Sequence, residues 1–467
     1  MPDHTLYKAM GNSILVTDKN FYKKLITLSI PIALQQLLTA GMNMMDTLMV
    51  GQLDEVSLSA VSMASQTQLL FIFMSLGTGI GASIMFARYW GANDKVSIHK
   101  ALTIAFRFVL CLALAYTLFM ALCPRTIMGI LTTEESVISA GMIYLKWSIP
   151  AYFLIGISTV CTVVLRNVGK VRMPLYISIV SFVVNIFCNW VFIFGKLGAP
   201  KMGVAGAALG TIIARFIETA IIFVYVFFID KVICFRFKDL FKPCKELFGE
   251  FMKITIPTII SDTLVGIGMI LTSAVGGRIS IAFMSGNSIT SVVQQMTAVF
   301  SMSLSNSSQI LIGNTLGEGR RKDVKREGLT FMIVSVIVGI AVGIITTALT
   351  VPIVNSYNIS KEAHDVAIQL MYGQAIFSVF MIPSCVITKG VLRGGGDTRF
   401  LMIAEVLFVW VVSLPLGYLA GVVWHWSPIL VFLALRIDHL LKIIWCSYRF
   451  STDKWIKKIK SVNDVNS

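Results

Sequence analysis

The run Ser29-Ile30-Pro31-Ile32-Ala33-Leu34-Gln35-Gln36-Leu37-Leu38-Thr39-Ala40-Gly41-Met42-Asn43-Met44-Met45-Asp46 decides how the rest of the chain is read. It is apolar, with a proline near its start and an aspartate deep inside. Proline removes a helical hydrogen bond and kinks the helix that contains it. A carboxylate inside a hydrophobic span is costly and faces a cavity or a partner. The run therefore predicts a bent membrane helix carrying a group able to hold a proton or a cation.

Composition extends that reading to the whole molecule. Of 467 residues, 56% are hydrophobic and only 13% charged, against roughly a quarter charged in a soluble domain. This is the composition of a polytopic membrane protein, with too little polar sequence left for a separate soluble domain. The formal net charge of +15 would suit nucleic acid, but its placement argues against that partner. Lysine and arginine cluster between the apolar runs, as orientation signals do. Residues 1–20 are polar and lack the apolar core of a cleavable signal peptide. The 8 cysteines are scattered without C-x-x-C spacing and read as small packing residues.

A span needs about 20 apolar residues. The hydrophobic pattern gives twelve, at roughly 25–48, 57–86, 99–122, 139–163, 174–195, 204–229, 254–275, 284–313, 329–353, 365–388, 400–422 and 428–448. The N-terminus (Lys8, Lys19, Lys23, Lys24), the tail and alternate loops carry most of the basic residues. Only Arg125, Lys196, Lys201, Arg278 and Lys361 fall in the opposite loops. Both termini are therefore expected in the cytoplasm, in a multi-pass protein of the cell membrane. The expected partition is an N-terminal segment 1–20, an N-lobe 21–229, a linker 230–253, a C-lobe 254–449 and a basic tail 450–467. The linker, with Phe235, Phe237, Leu240, Phe241, Leu247 and Phe248 among its basic residues, reads as an amphipathic stretch on the membrane surface.

The two halves repeat. Ile30-Pro31 aligns with Ile256-Pro257, and at the same offset of 226 Gly51 falls on Gly277 and Gly91 on Gly317. Leu165-Arg166-Asn167-Val168-Gly169 matches Leu392-Arg393-Gly394-Gly395-Gly396 at an offset of 227. The expected fold is thus all-α, with twelve transmembrane helices in two six-helix lobes. A pseudo-two-fold axis along the membrane normal relates them. Such repeats place a substrate path between the halves. The Gly394–Asp397 run lacks the Lys-Ser/Thr of a phosphate loop and reads as a tight turn, so no ATP site is visible.

Several features together resemble the multidrug and toxic compound extrusion family over nearly the whole chain. They are Pro31 with Asp46-Thr47-Leu48-Met49-Val50-Gly51, the Gly-Ala-Asn-Asp turn at 91–94, and Leu-Arg-Asn-Val-Gly-Lys at 165–170. Asn189-Trp190-Val191-Phe192-Ile193-Phe194-Gly195, Gly203-Val204-Ala205-Gly206-Ala207-Ala208 and Leu392-Arg393-Gly394-Gly395-Gly396-Asp397-Thr398-Arg399 complete the set. The resemblance implies a V-shaped antiporter of two lobes, not an enzyme. It further implies export of bulky, often cationic organic compounds, driven by entry of H⁺ or Na⁺ and needing no cofactor. The expected oligomeric state is a monomer in the bilayer.

Asp46 falls where the family has its first-span aspartate, and is the expected coupling group. Asn185 and Asn189, four apart on one helix face, are neutral where the family often has a carboxylate. Their amides and the Thr211 hydroxyl would bond a protonated carboxyl, and the oxygens of Asp46, Asn185 and Asn189 would also suit Na⁺. Gln35, Met42, Asp262, Gln294 and Glu405 are the expected cavity residues. Asp46 has Thr272 at its repeat position, so the C-terminal half lacks a twin acid in its first span. Arg215 with Glu218, and Asp438 with Lys442, have same-helix ion-pair spacing and read as neutralised charges. The alternative function is a lipid-linked precursor flippase of the wider superfamily. It would need a cluster of basic residues for an anionic pyrophosphate, and only Arg107, Lys146 and Arg215 could reach a lumen.

Overall fold

The computed structural model describes residues 15–462 except 54, 133 and 358. Lys8, the rest of 1–14 and tail residues 463–467 lie outside the described residues. Among the described residues the chain is helical, with no strand. The helices are α1 (Lys19–Val50), α2 (Glu55–Gly91), α3 (Lys95–Leu122), α4 (Pro124–Leu131), α5 (Glu135–Asn167), α6 (Arg172–Phe194) and α7 (Val204–Val224). They continue with α8 (Lys245–Ile279), α9 (Ile281–Gly317), α10 (Arg321–Asn355), α11 (Lys361–Cys385), α12 (Thr398–Val406), α13 (Leu414–Tyr418), α14 (Pro428–Ala434) and α15 (Asp438–Ser451). Wider π turns prolong α7 (Tyr225–Ile229) and α11 (Val386–Leu392), join α12 to α13 (Leu407–Ser413) and follow α13 (Leu419–Val423).

Ten of these helical segments are long and apolar enough to cross a membrane. Two expected spans differ from that simple pattern for chemical reasons. The eighth is one 37-residue helix, α9, but it carries Asn287, Gln294, Gln295, Asn306 and a series of serines. The twelfth is broken between Ala434 and Asp438, where Arg436 and Asp438 sit. Two boundaries also move: α4 is an extra short helix after α3, and α8 starts at Lys245, inside the expected linker.

The chain divides into two compact units whose borders cut through helices. One unit holds residues up to Ile30 with Leu271–Asp397 and Leu407–Lys458; the other holds Pro31–Ile270, Thr398–Val406 and the segment from Ile459. The first border falls at Pro31, within the continuous α1. The Pro31–Ile270 unit has two apolar cores, one around Phe86, Phe106, Phe227, Phe235 and Phe251 and one around Phe71, Tyr144 and Tyr152. The other unit buries Phe283, Phe377 and Phe432 together.

Within the Pro31–Ile270 unit the linker is fastened by its backbone. Arg107 donates from Nε to the Leu240 carbonyl at 3.0 Å and from Nη2 to the Lys242 carbonyl at 3.0 Å. This corrects the expectation that Arg107 could face a lumen: its donors are used on linker carbonyls. Phe235 and Leu247 are buried, whereas Phe237, Phe241 and Phe248 are exposed, which is the amphipathic split read from the sequence. Burial alone would push the Asp239 carboxyl up. The Lys242 ammonium and the Arg236 N–H outweigh burial and hold it below the usual carboxylate range.

The basic tail is anchored rather than merely trailing. In the first unit Trp455 is fully buried, stacks on Phe450 at 5.3 Å and donates to the Phe450 carbonyl. Its indole lies against Gly395, where any Cβ would overlap the ring. Gly396 has φ +88°, so the glycine run is the tight turn expected. Asp397 at its end binds Arg449 at 2.7 Å. Deleting a buried aromatic side chain costs roughly 3–5 kcal/mol. Trp455→Ala is therefore expected to lower the thermal unfolding midpoint of detergent-solubilised protein by several degrees. An unchanged midpoint would show that the tail contributes no packing.

Candidate functional site

The site in the Pro31–Ile270 unit is built from the way α6 returns into α7. Gly195 ends α6 in the left-handed region at φ +69°, and Met202 N–H returns to the Phe192 carbonyl at 2.9 Å. An added Cβ at Gly206 would meet the Phe192 carbonyl oxygen at 2.5 Å, and one at Gly210 would overlap Asn189 Oδ1. Glycines four apart let two membrane helices approach closely. That approach turns two polar faces toward each other. On α6 they are Ser178, Ser181, Asn185 and Asn189, spaced three, four and four; on α7 they are Thr211, Arg215 and Glu218, spaced four and three.

Asp46 of α1 meets the upper end of this seam. Asn189 Nδ2 donates to Asp46 Oδ1 at 2.5 Å and to Asn185 Oδ1 at 3.4 Å. Asn185 and Thr211 lie close enough to act on the carboxylate, while the Thr211 hydroxyl donates to the Ala207 carbonyl at 3.1 Å. Asn185 and Asn189 are fully buried, and Thr211 is 8% exposed. Two polar atoms beside the carboxylate, Asn185 Nδ2 and Asn189 Oδ1, have no partner among the described residues. Tyr144 of α5 is buried within electrostatic reach of Asp46. Arg215 is also close enough to act on it.

The four residues expected to form the coupling site are thus brought together. The expected cavity residues have varied surroundings. Gln35 is buried, donates to Ser178 Oγ at 3.0 Å and accepts from Arg166 Nη2. Met42, one turn before Asp46, is buried, as are Asp262 and Glu405. Gln294 belongs to the other unit, where its Oε1 accepts from Arg436 at 3.0 Å. The expected ion pairs both form, Arg215 with Glu218 at 2.9 Å and Lys442 with Asp438 at 2.8 Å. Tyr144, Gly210 and Ser181 were not singled out from the sequence. The three-four-four spacing on α6 and the Gly206–Gly210 spacing on α7 were the signals that would have found the last two.

Among the described residues no group of three His, Cys, Asp or Glu could hold a metal ion. The donor set at Asp46 is one carboxylate faced by an amide N–H, which suits an anion more than a bare cation. A half-turn of the same amide would offer Asn189 Oδ1 as acceptor for a protonated carboxyl. One side chain can therefore serve both protonation states.

A family model described as MatE matches residues 31–191 and 257–419. The multidrug resistance protein MdtK of Edwardsiella ictaluri is 25% identical, covering 87% of this chain and 89% of its own. The probable multidrug resistance protein NorM of Thermotoga maritima is 24% identical, covering 93% of each. An outward-facing structure of a multidrug resistance MATE family transporter superposes with a TM-score of 0.84 at 18% identity. The match covers 92% of this chain and 96% of that one.

The fit at Gly210 can be tested directly. A methyl there must displace Asn189 from Asp46, and overpacking costs about 1–3 kcal/mol. Gly210→Ala is expected to lower the unfolding midpoint in detergent. Gly129→Ala, where an added methyl meets open space, is expected to leave it unchanged. Equal midpoints for the two variants would mean that Asn189 is not held by that contact.

Proposed function

The chain belongs to the MatE family, and on that footing we propose that it is a multidrug efflux antiporter. In this reading it exports bulky organic cations across the cell membrane by alternating access, coupled to proton entry through Asp46. The names of its relatives support drug efflux. The observation that carries the coupling role is the buried contact of Asp46 with Asn189, flanked by unpartnered Asn189 Oδ1 and Asn185 Nδ2. A lone carboxylate among amides favours H⁺ over Na⁺, which prefers several oxygen ligands. Both termini lie in the cytoplasm on the distribution of basic residues, and one copy suffices for the cycle.

Asp46 changes the energy of two shapes of its unit as it gains or loses a proton. The ion can bias them only by its differential affinity for the two. An ionised Asp46 holds the Asn189 N–H; a protonated one releases it and turns the amide. Substrate release is tied to that turn. The flippase alternative loses support, because Arg107 is spent on the linker and Arg215 on Glu218.

Asp46→Asn keeps the size and hydrogen-bonding capacity of the side chain but cannot change charge. It is expected to reduce efflux of ethidium driven by a pH gradient in proteoliposomes at least tenfold, with the unfolding midpoint retained. Parallel runs with a Na⁺ gradient at fixed pH identify the ion. Gradient-driven efflux by the variant at the unmodified rate would sink the coupling role of Asp46.

A further inference from the structure

Two turns along α7 from Thr211 lies a second buried carboxylate. Glu218 is 8% exposed and accepts three hydrogen bonds: Ser158 Oγ of α5 at 3.0 Å, Ser181 Oγ of α6 at 3.3 Å and Arg215 Nη1 at 2.9 Å. Arg215 stands between Glu218 and the Asp46 site, and its buried Nε has no partner among the described residues. Below Glu218 the seam goes on: Ser178 accepts from Gln35, and Gln35 accepts from Arg166. That end of α6 joins the basic loop holding Lys170, and Lys170 binds Asp230 at 2.5 Å. The polar face Ser178–Ser181–Asn185–Asn189 therefore runs about 16 Å along α6, from the Asp46 site to the basic end of the unit.

Such a seam is expensive to maintain in a membrane. Polar hydroxyls and an ion pair replace apolar packing that would serve stability as well or better. Arg215 is the charged group of α7 within electrostatic reach of Asp46, and its Nε, like that of Arg166, has room for a further acceptor. The other charged group of α5 close to the seam, Arg166, is engaged with Gln35. Lys146 of α5 is exposed.

We propose that Glu218 is the proton relay between Asp46 and the cytoplasmic face, and that Arg215 moves between the two carboxylates as the proton passes. The proposal rests on the reading of Asp46 as proton-coupled. In the structure the Asn189 N–H meets ionised Asp46 and Arg215 is paired with ionised Glu218. Once a proton has entered, Asp46 carries it, the Asn189 amide turns, and Arg215 stays on Glu218. The O–H bond at Asp46 breaks, water in the opened seam carries the proton, and a new O–H bond forms on Glu218. Arg215 leaves the neutral Glu218 and pairs with the ionised Asp46. The three side chains sum to zero charge before and after, so no net charge is created in the low-dielectric interior. The O–H bond at Glu218 then breaks, water entering from the basic end takes the proton, and Arg215 returns to ionised Glu218. The guanidinium carries no proton itself, because it stays protonated throughout.

The test uses full-length protein in proteoliposomes with a trapped pH dye. Ethidium is added on one side, and two rates are read: substrate-driven proton movement and ethidium–ethidium exchange. Glu218→Gln is expected to slow proton movement at least tenfold and leave exchange within twofold of the unmodified protein. Glu218→Asp is expected to recover part of the proton rate with an altered pH profile. Because Glu218→Gln strands a buried cation, the double variant Arg215→Gln/Glu218→Gln, which removes both charges, is run beside it and is expected to show the same loss. Proton movement at the unmodified rate in either Gln variant overturns the relay. Equal loss of both rates in the folded double variant also overturns it, since that marks a structural role. Absence of substrate-driven proton movement in the unmodified protein would overturn the proton-coupled reading of Asp46, and the relay with it.

Discussion

The polar seam that ends at Asp46 depends on how closely α6 can approach α7. Gly206 and Gly210 remove the side chains that would hold the helices apart, at Phe192 and Asn189. In lipid there is no hydrophobic force between helices, so close packing and interhelical hydrogen bonds must supply the association. The same approach brings Asn185, Asn189 and Ser181 of one helix against Thr211, Arg215 and Glu218 of the other. Polar residues that would be intolerable facing lipid thereby partner one another, and α1 can insert Asp46 at the end of their seam. Sterics at two glycines thus precede any chemistry at the carboxylate.

Each charge at membrane depth is met by a different device. Glu218 collects two hydroxyls and a guanidinium. Arg436, at the break of the last span, lies 3.7 Å over the Phe432 ring and donates to the Gln294 amide. Glu327 of α10 accepts from the Thr315 hydroxyl through both oxygens. Removing one member of such a set costs more than replacing the whole set by apolar groups. These groups are therefore better read as parts of a mechanism, or of helix registration, than as sources of stability.

The sequence made much of this legible, and for identifiable reasons. Hydrophobic run length exposed the spans, because a bilayer imposes a fixed thickness. The offset repeat and the lone Asp46 in an apolar run pointed to the site. Asn185 and Asn189 were visible as a same-face pair, and Asp46 does meet them. What was not legible was three-dimensional. Arg215 and Glu218 have the spacing of an ordinary surface pair, and nothing in that spacing tells that Ser158 and Ser181 also reach Glu218. Arg107 looked like a lumen residue because its linker partners are backbone carbonyls, which no sequence pattern marks. The break in the last span was hidden because its apolar run is continuous enough on either side of Arg436.

The repeat gives the seam an internal comparison. At an offset of 227, Thr211 corresponds to Asp438 and Arg215 to Lys442. The C-terminal half lacks an acid at the Asp46 position, where Thr272 stands, but it has one at the Thr211 position. There the twin cation turns back to that acid: Lys442 binds Asp438 at 2.8 Å, and Ser413 donates to the same carboxylate at 3.1 Å. In the N-terminal half the cation turns the other way, toward Glu218, and leaves Asp46 to amides. One repeat thus holds as a closed pair the contact between helix cation and site carboxylate that the other would form only when Asp46 is ionised. The closed pair has a hydroxyl on its second oxygen, whereas Asp46 is met by the Asn189 amide while Arg215 pairs with Glu218. The two halves thus differ in how the site carboxylate is met, even though both carry acid and base on the same helix face.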